Sequence, residues 1–200
     1  MNNYERMLNG QVYDPSEGLI MAEQAEALEL LHDFNATRPS QLDERSRLLR
    51  QMFGTLGDGC YFEPPLRANW GGRHVHVGNN VYANFNLTLV DDGDIYIGNN
   101  TMFGPNVVVT TAGHPILPEL RVRGLQFNLA VHIGSNVWIG SGAQIMPGVT
   151  IGDNTVIGAG SVVTRDVPSG VVAVGVPCRV VREISDHDRE FYWRDRRLDL

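Results

Sequence analysis

The chain has 200 residues, 42% hydrophobic and 20% charged, which fits one ordinary globular domain with a small appendage and excludes a disordered chain. Its formal net charge of -7 argues against nucleic acid as a partner, because phosphate backbones need a net basic face, yet it leaves room for a local basic pocket for one anionic cofactor. No apolar run approaches the ~20 residues of a membrane span, no basic stretch leads into an apolar one near Met1, and Cys60 and Cys178 match no metal spacing, so a cytoplasmic protein without a membrane partner, a signal peptide or a disulfide is expected.

Residues 1–60 read as a helical segment. The run 20–31 is rich in strong helix formers, and Met21, Leu28 and Leu31 recur near helical spacing. Residues 35–39, ending in Pro39, break the pattern. Ser40 then offers an N-cap, and Leu42, Leu48, Leu49, Met52 and Phe53 make a second amphipathic stretch. Gly54, Gly57 and Gly59 close the segment.

After Trp70 an aliphatic residue recurs at every sixth position, often followed by glycine. One set is Val77, Ala83 and Leu89; a second is Ile97, Phe103 and Val109; a third runs through Ile133, Ile139, Ile145, Ile151, Ile157 and Val163. A period of six is neither the 3.6 of one helix nor the 2.0 of one flat strand. It suits a solenoid in which each face of a prism takes one hexad and the first residue points inward, with glycine or asparagine permitting the turn that follows. Residues 61–181 are assigned to this coil.

The breaks in phase carry information too. The step from Leu89 to Ile97 is two residues too long, which predicts a bulged acidic corner over residues 91–94. Between Val109 and Ile133 an extra coil would place Arg121 unpaired in a narrow apolar core, so this stretch reads instead as a loop leaving the coil at about residues 113–129. His114 stands at its root. Residues 182–200 form a charged tail, expected to be a short helix covering the coil end.

Of the six histidines, His32 and His187 fall in helical or tail segments, and His132 points outward from its strand. His74 and His76 are two apart and read as surface decoration on one face. His114 differs, because it sits where the repeat stops, and imidazole suits proton transfer near neutral pH. Asn84 and Asp92 take outward or corner positions, where turn chemistry alone would favour them. Trp138 points outward. Arg165, Arg179 and Arg182 cluster late in an acidic chain, as a local anion site would.

Several motifs together resemble one family, the maltose and galactoside acetyltransferases of the hexapeptide-repeat superfamily. They are Met7-Leu-Asn-Gly-Gln-Val-Tyr, Tyr82-Ala-Asn-Phe-Asn-Leu, Asp91-Asp92, Gly113-His114-Pro115, Ile133-Gly-Ser-Asn-Val-Trp-Ile-Gly, Asn154-Thr-Val-Ile-Gly-Ala-Gly-Ser-Val-Val-Thr and Gly175-Val-Pro-Cys-Arg. The resemblance implies a mainly β chain: a left-handed parallel β-helix with an N-terminal α-helical segment, assembled as a homotrimer with active sites between subunits. It implies acetyl transfer from acetyl-CoA to a sugar hydroxyl with His114 as general base and no metal. Asp14, Asn69, Asn84 and Asp92 would contact the acceptor. Ser141 and Ala159 would face the pantetheine arm, Trp138 would wall the channel, and Thr164, Arg165, Arg179 and Arg182 would lie near the nucleotide phosphates. Gly71-Gly72 departs from the family pattern as a one-residue insertion beside Asn69.

Three alternatives stay open in the sequence. One is a non-sugar acceptor such as an amino acid or an antibiotic. Another is a non-catalytic trimeric scaffold. The last is a zinc hydrolyase on the same fold, but that needs three converging histidines, and Glu119 stands five residues after His114.

Overall fold

In the computed structural model, which describes residues 1–199, the six-residue period becomes three parallel sheets wound as a solenoid. On the first face Leu56, Val77, Ile97, Ile133 and Ile151 stand in register. On the second, Phe62, Ala83, Phe103, Ile139, Ile157 and Ala173 do so. On the third the column is Ala68, Leu89, Val109, Ile145 and Val163. Apart from half-buried Leu56, every residue in these columns is buried, so the three columns are the core. Each full aliphatic side chain there contributes about 1.5–3 kcal/mol by leaving water.

The corners explain the Gly-Asn-Asn pattern. Asn80, Asn100, Asn136 and Asn154 take the left-handed turn conformation, all with φ of 56°. Their amides form a ladder along the prism edge, with links of 3.2, 3.1 and 3.0 Å. The turn therefore falls on the asparagine three residues after the aliphatic one. The intervening glycine has a different duty: a Cβ on Gly98 would lie 2.5 Å from the backbone of Gly134 and Ser135 in the next coil.

The coil starts earlier than the period first suggests. Leu56, Phe62 and Ala68 are themselves six apart and form a complete first turn. Three helices precede it: α1 (Asn3–Leu8), α2 (Gly18–Asn35) and α3 (Leu42–Met52). α1 opens with a capping box between Asn2 and Glu5. In α2 the inward stripe is Ile20, Ala27, Leu31 and Phe34, whereas Met21 and Leu28 are exposed, contrary to the expected face. The register is set by docking on the first coil, which composition alone does not reveal. The cap of α3 is Gln41 rather than Ser40, and it makes no side-chain cap bond.

The tail also differs from the expected helix. Arg179–Glu183 turns back antiparallel onto Val171–Val174, and a single helical turn, His187–Glu190, leads into a small hairpin of Phe191–Trp193 with Arg196–Arg197. A strand suits this place because the second face still offers an unpaired edge there.

Candidate active site

The long step between Val109 and Ile133 leaves the coil as a hairpin. Ala112–Gly113 pairs antiparallel with Phe127–Asn128, and a helical turn, Pro118–Arg121, caps the excursion, with Arg121 in solvent. His114 follows the first hairpin strand and is exposed at the neck of the loop. Its Nδ1 lies 2.9 Å from the carbonyl oxygen of Leu125. A carbonyl only accepts, so Nδ1 carries a hydrogen, and in the neutral ring the lone pair is on Nε2.

The acidic corner lies beside this neck. Asp91 is fully buried and its carboxylate accepts from the backbone N–H groups of Trp70 (2.7 Å) and Gly72 (2.9 Å). Burial pushes its carboxyl up to about 6, and the neighbouring charge of Asp92 adds to this against the pull of the Trp70 amide. The Gly71-Gly72 step makes this possible. Both take positive φ, and a Cβ on Gly72 would lie 2.3 Å from the Phe53 ring.

Asp92 is 4% exposed, more enclosed than a corner position suggests. One carboxylate oxygen accepts from Asn69 Nδ2 at 2.8 Å and the other from Gln126 Nε2 at 3.0 Å. Behind it, the buried Asn128 amide nitrogen lies 2.8 Å from the Asp92 carbonyl and 3.3 Å from both the Tyr13 hydroxyl and the Met7 carbonyl. Gln126 and Tyr13 also exchange both backbone hydrogen bonds, at 2.9 and 3.0 Å. The N-terminal segment is thereby pinned to the loop and the corner. Burial raises the Tyr13 phenol well above its usual range. Tyr13, Asp14, Arg123 and Leu125 line an adjoining cleft of about 400 Å³. Within it the Asp14 carboxylate accepts from the Ser16 hydroxyl and backbone, which holds it below the usual carboxylate range.

Asp14, Asn69, Asp92 and His114 thus gather at the edge between the third and first faces. Thr164 and Arg165 lie exposed on that same edge, further along the prism. The remaining sequence-predicted residues do not join them. On the edge between the second and third faces, Asn84 directly follows Ala83, while Ser141 and Ala159 lie two residues after Ile139 and Ile157. Trp138 projects outward from the second face, 52% exposed, and Arg179 sits on the returning strand of that sheet. Arg182, expected near phosphates, is held by Asp188 through two 2.7 Å contacts. The sequence-predicted residues of one chain therefore fall on two different edges of the prism.

His74 corrects an expectation. It precedes the strand at the Gly71-Gly72 bend, is buried, packs at a tilt against Trp70 with centroids 5.1 Å apart, and contacts the Asp91 carbonyl at 2.7 Å. His132 does point outward, and it piles with Tyr96 and His76 at 4.8 Å spacings. No group of three or more His, Cys, Asp or Glu side chains converges as metal ligands would among the described residues. Tyr13 entered the sequence reading only as the end of a family motif, and Gln126 and Asn128 escaped it, since polar residues in a loop or turn carry no periodic signal.

The N-terminal residues 6–57 match the maltose acetyltransferase hexapeptide capping motif, and residues 130–165 match the bacterial transferase hexapeptide family of six repeats. The chain is 50% identical over 200 residues to a galactoside O-acetyltransferase of Lactococcus lactis, covering 100% of this chain and 97% of the relative. It is 46% identical to the galactoside O-acetyltransferase of Escherichia coli, with 98% and 96% covered. A solved galactoside acetyltransferase in complex with coenzyme A superposes with a TM-score of 0.95 at 44% identity, covering 100% of both chains. The solenoid with its capping segment is that of a hexapeptide-repeat acyltransferase. Within that class, the chain belongs to the galactoside O-acetyltransferase family.

Proposed function

We propose that the protein moves the acetyl group of acetyl-CoA to a hydroxyl of a sugar acceptor of galactoside, glucoside or maltose type, by direct attack within a ternary complex. The observation that carries this is the His114–Leu125 hydrogen bond, which in the neutral ring leaves the Nε2 lone pair free, with Leu125 itself lining the cleft that also holds Asp14. Nε2 takes the hydroxyl proton as the oxygen attacks the thioester carbon; the C–S bond then breaks and the proton passes to the departing thiolate. Asp14, Asn69, Asn84 and Asp92 bind the acceptor. The relatives' names and the coenzyme A complex support the substrate classes.

The placing of these residues on two edges supports a homotrimer. A three-fold arrangement sets the edge bearing Asp92 and His114 of one copy against the edge bearing Asn84, Ser141 and Ala159 of the next, which completes a site that a lone chain leaves divided. The backbone N–H groups of Ser141 and Ala159 make no protein hydrogen bond among the described residues and are available to the pantetheine arm. Trp138 walls the channel, and Thr164, Arg165, Arg179 and Arg182 face the nucleotide phosphates. No helix among the described residues is long and apolar enough to cross a membrane, and the two free cysteines fit a reducing cytoplasm.

The test is thiol release from acetyl-CoA with galactosides, glucosides, maltose, amino acids and aminoglycosides as acceptors. Turnover on the sugars is expected. Turnover confined to amino acids or aminoglycosides, or none at all, overturns the reading.

A further inference from the structure

The geometry points to Gln126 as a specificity-determining residue that meets the acceptor directly, in a clamp formed with Asn69 around Asp92. This rests on the acetyltransferase reading above. Gln126 is fixed at both ends. Its backbone is bonded in both directions to Tyr13, and its side-chain nitrogen donates to Asp92 at 3.0 Å. The residue before it, Leu125, holds His114 through its carbonyl. Two consecutive residues therefore set the spacing between the imidazole and the carboxylate.

The clamp has a specific hydrogen-bonding content. Each Asp92 oxygen accepts one amide N–H, from Asn69 on one side and Gln126 on the other, and each keeps lone-pair capacity. The side-chain carbonyl of Gln126 accepts no hydrogen bond among the described residues. The half-buried amide carbonyl and the carboxylate beside it present two acceptor atoms that suit two hydroxyl groups on adjacent carbons. A single alcohol fills one of them and leaves the other without a donor, which costs affinity. Gln126 thus favours a polyhydroxy acceptor over a simple alcohol, and it acts on acceptor binding while His114 acts on the proton.

Gln126→Met keeps the length of the side chain and removes both polar atoms. The experiment compares wild type and variant on one glycoside that wild type acetylates and on its set of mono-deoxy analogues. The glycoside's kcat/KM falls about tenfold in the variant, mainly through KM, while KM for acetyl-CoA stays at the wild-type value. One deoxy analogue that is poor with wild type loses nothing further with the variant. Equal deoxy penalties in both proteins overturn the clamp and leave the acetyltransferase reading standing. Failure of wild type on every glycoside removes both. If the methionine variant does not fold, Gln126→Ala, which keeps the backbone bridge to Tyr13, carries the same comparison.

Discussion

His114 Nδ1 lies 2.9 Å from the Leu125 carbonyl, so one hydrogen bond ties the imidazole to the neck of the protruding loop and sets the tautomer of the neutral ring. The bond can be kept while the base is removed. His114→Asn places an amide N–H near the Nδ1 position, whereas His114→Ala loses bond and base together. Both variants are expected to lose acetyl transfer by roughly 10²–10⁴-fold with coenzyme A affinity near wild type. The asparagine variant should hold the wild-type thermal midpoint more closely. Wild-type turnover in either one sinks the general-base role.

The arginines should not contribute equally to donor binding. Arg165 is exposed and has no acidic partner among the described residues, whereas Arg182 is already neutralised by Asp188. That pairing holds the Asp188 carboxyl far below the usual carboxylate range. Arg165→Ala is expected to raise KM for acetyl-CoA roughly tenfold, as loss of a charge-assisted hydrogen bond does. Arg182→Ala should raise it less. Steady-state kinetics with varied acetyl-CoA ranks the two, and the reverse order contradicts this account.

Gly72→Ala tests the bend behind Asp91. Its φ of +96° is disfavoured for alanine, and the added methyl would lie 2.3 Å from the Phe53 ring. A loss on the order of 2–4 kcal/mol is expected from the clash and the strain together. Chemical denaturation measures it, and a change below about 0.5 kcal/mol would show that the bend is not constrained.

Asp91 gives a signed pH dependence. Its folded pKa of about 6 lies above the ordinary value of 3.8, so the folded state binds the proton more tightly. Its contribution to stability is therefore full below about pH 4, falls as pH rises through the window to about 6, and levels off above. Asp91→Asn cannot ionise and still accepts from one of the two backbone donors. The stability advantage of wild type over this variant should shrink between pH 4 and 6. A gap that stays constant across that window removes the argument.

The columns from Ile133 to Val163 were legible because each turn repeats one steric demand, a branched chain inward and a small residue where coils nearly touch. The first coil was not, since Leu56, Phe62 and Ala68 are flanked by steps that lack the Gly-Asn-Asn corner. His114 was legible because the winding stops beside it. Gln126 and Asn128 were not, because their partners lie far off in sequence: Asp92 is 34 residues before Gln126, and Met7 is 121 before Asn128. A polar loop residue acquires its role only when the chain closes on itself. Asn84 and Asp92 were found as residues, but their places on separate edges came only from the register of the strands.

The strand Arg179–Glu183 runs against the direction of every other strand in its sheet. A parallel stack ends in a rung that could seed another, from the same chain or a stranger. Reversing the last rung, and loading it with two arginines and a glutamate, makes a poor template for further growth. A chain cut after Cys178 would lose that guard together with Arg179 and Arg182, and filament formation would be a hazard added to weaker donor binding.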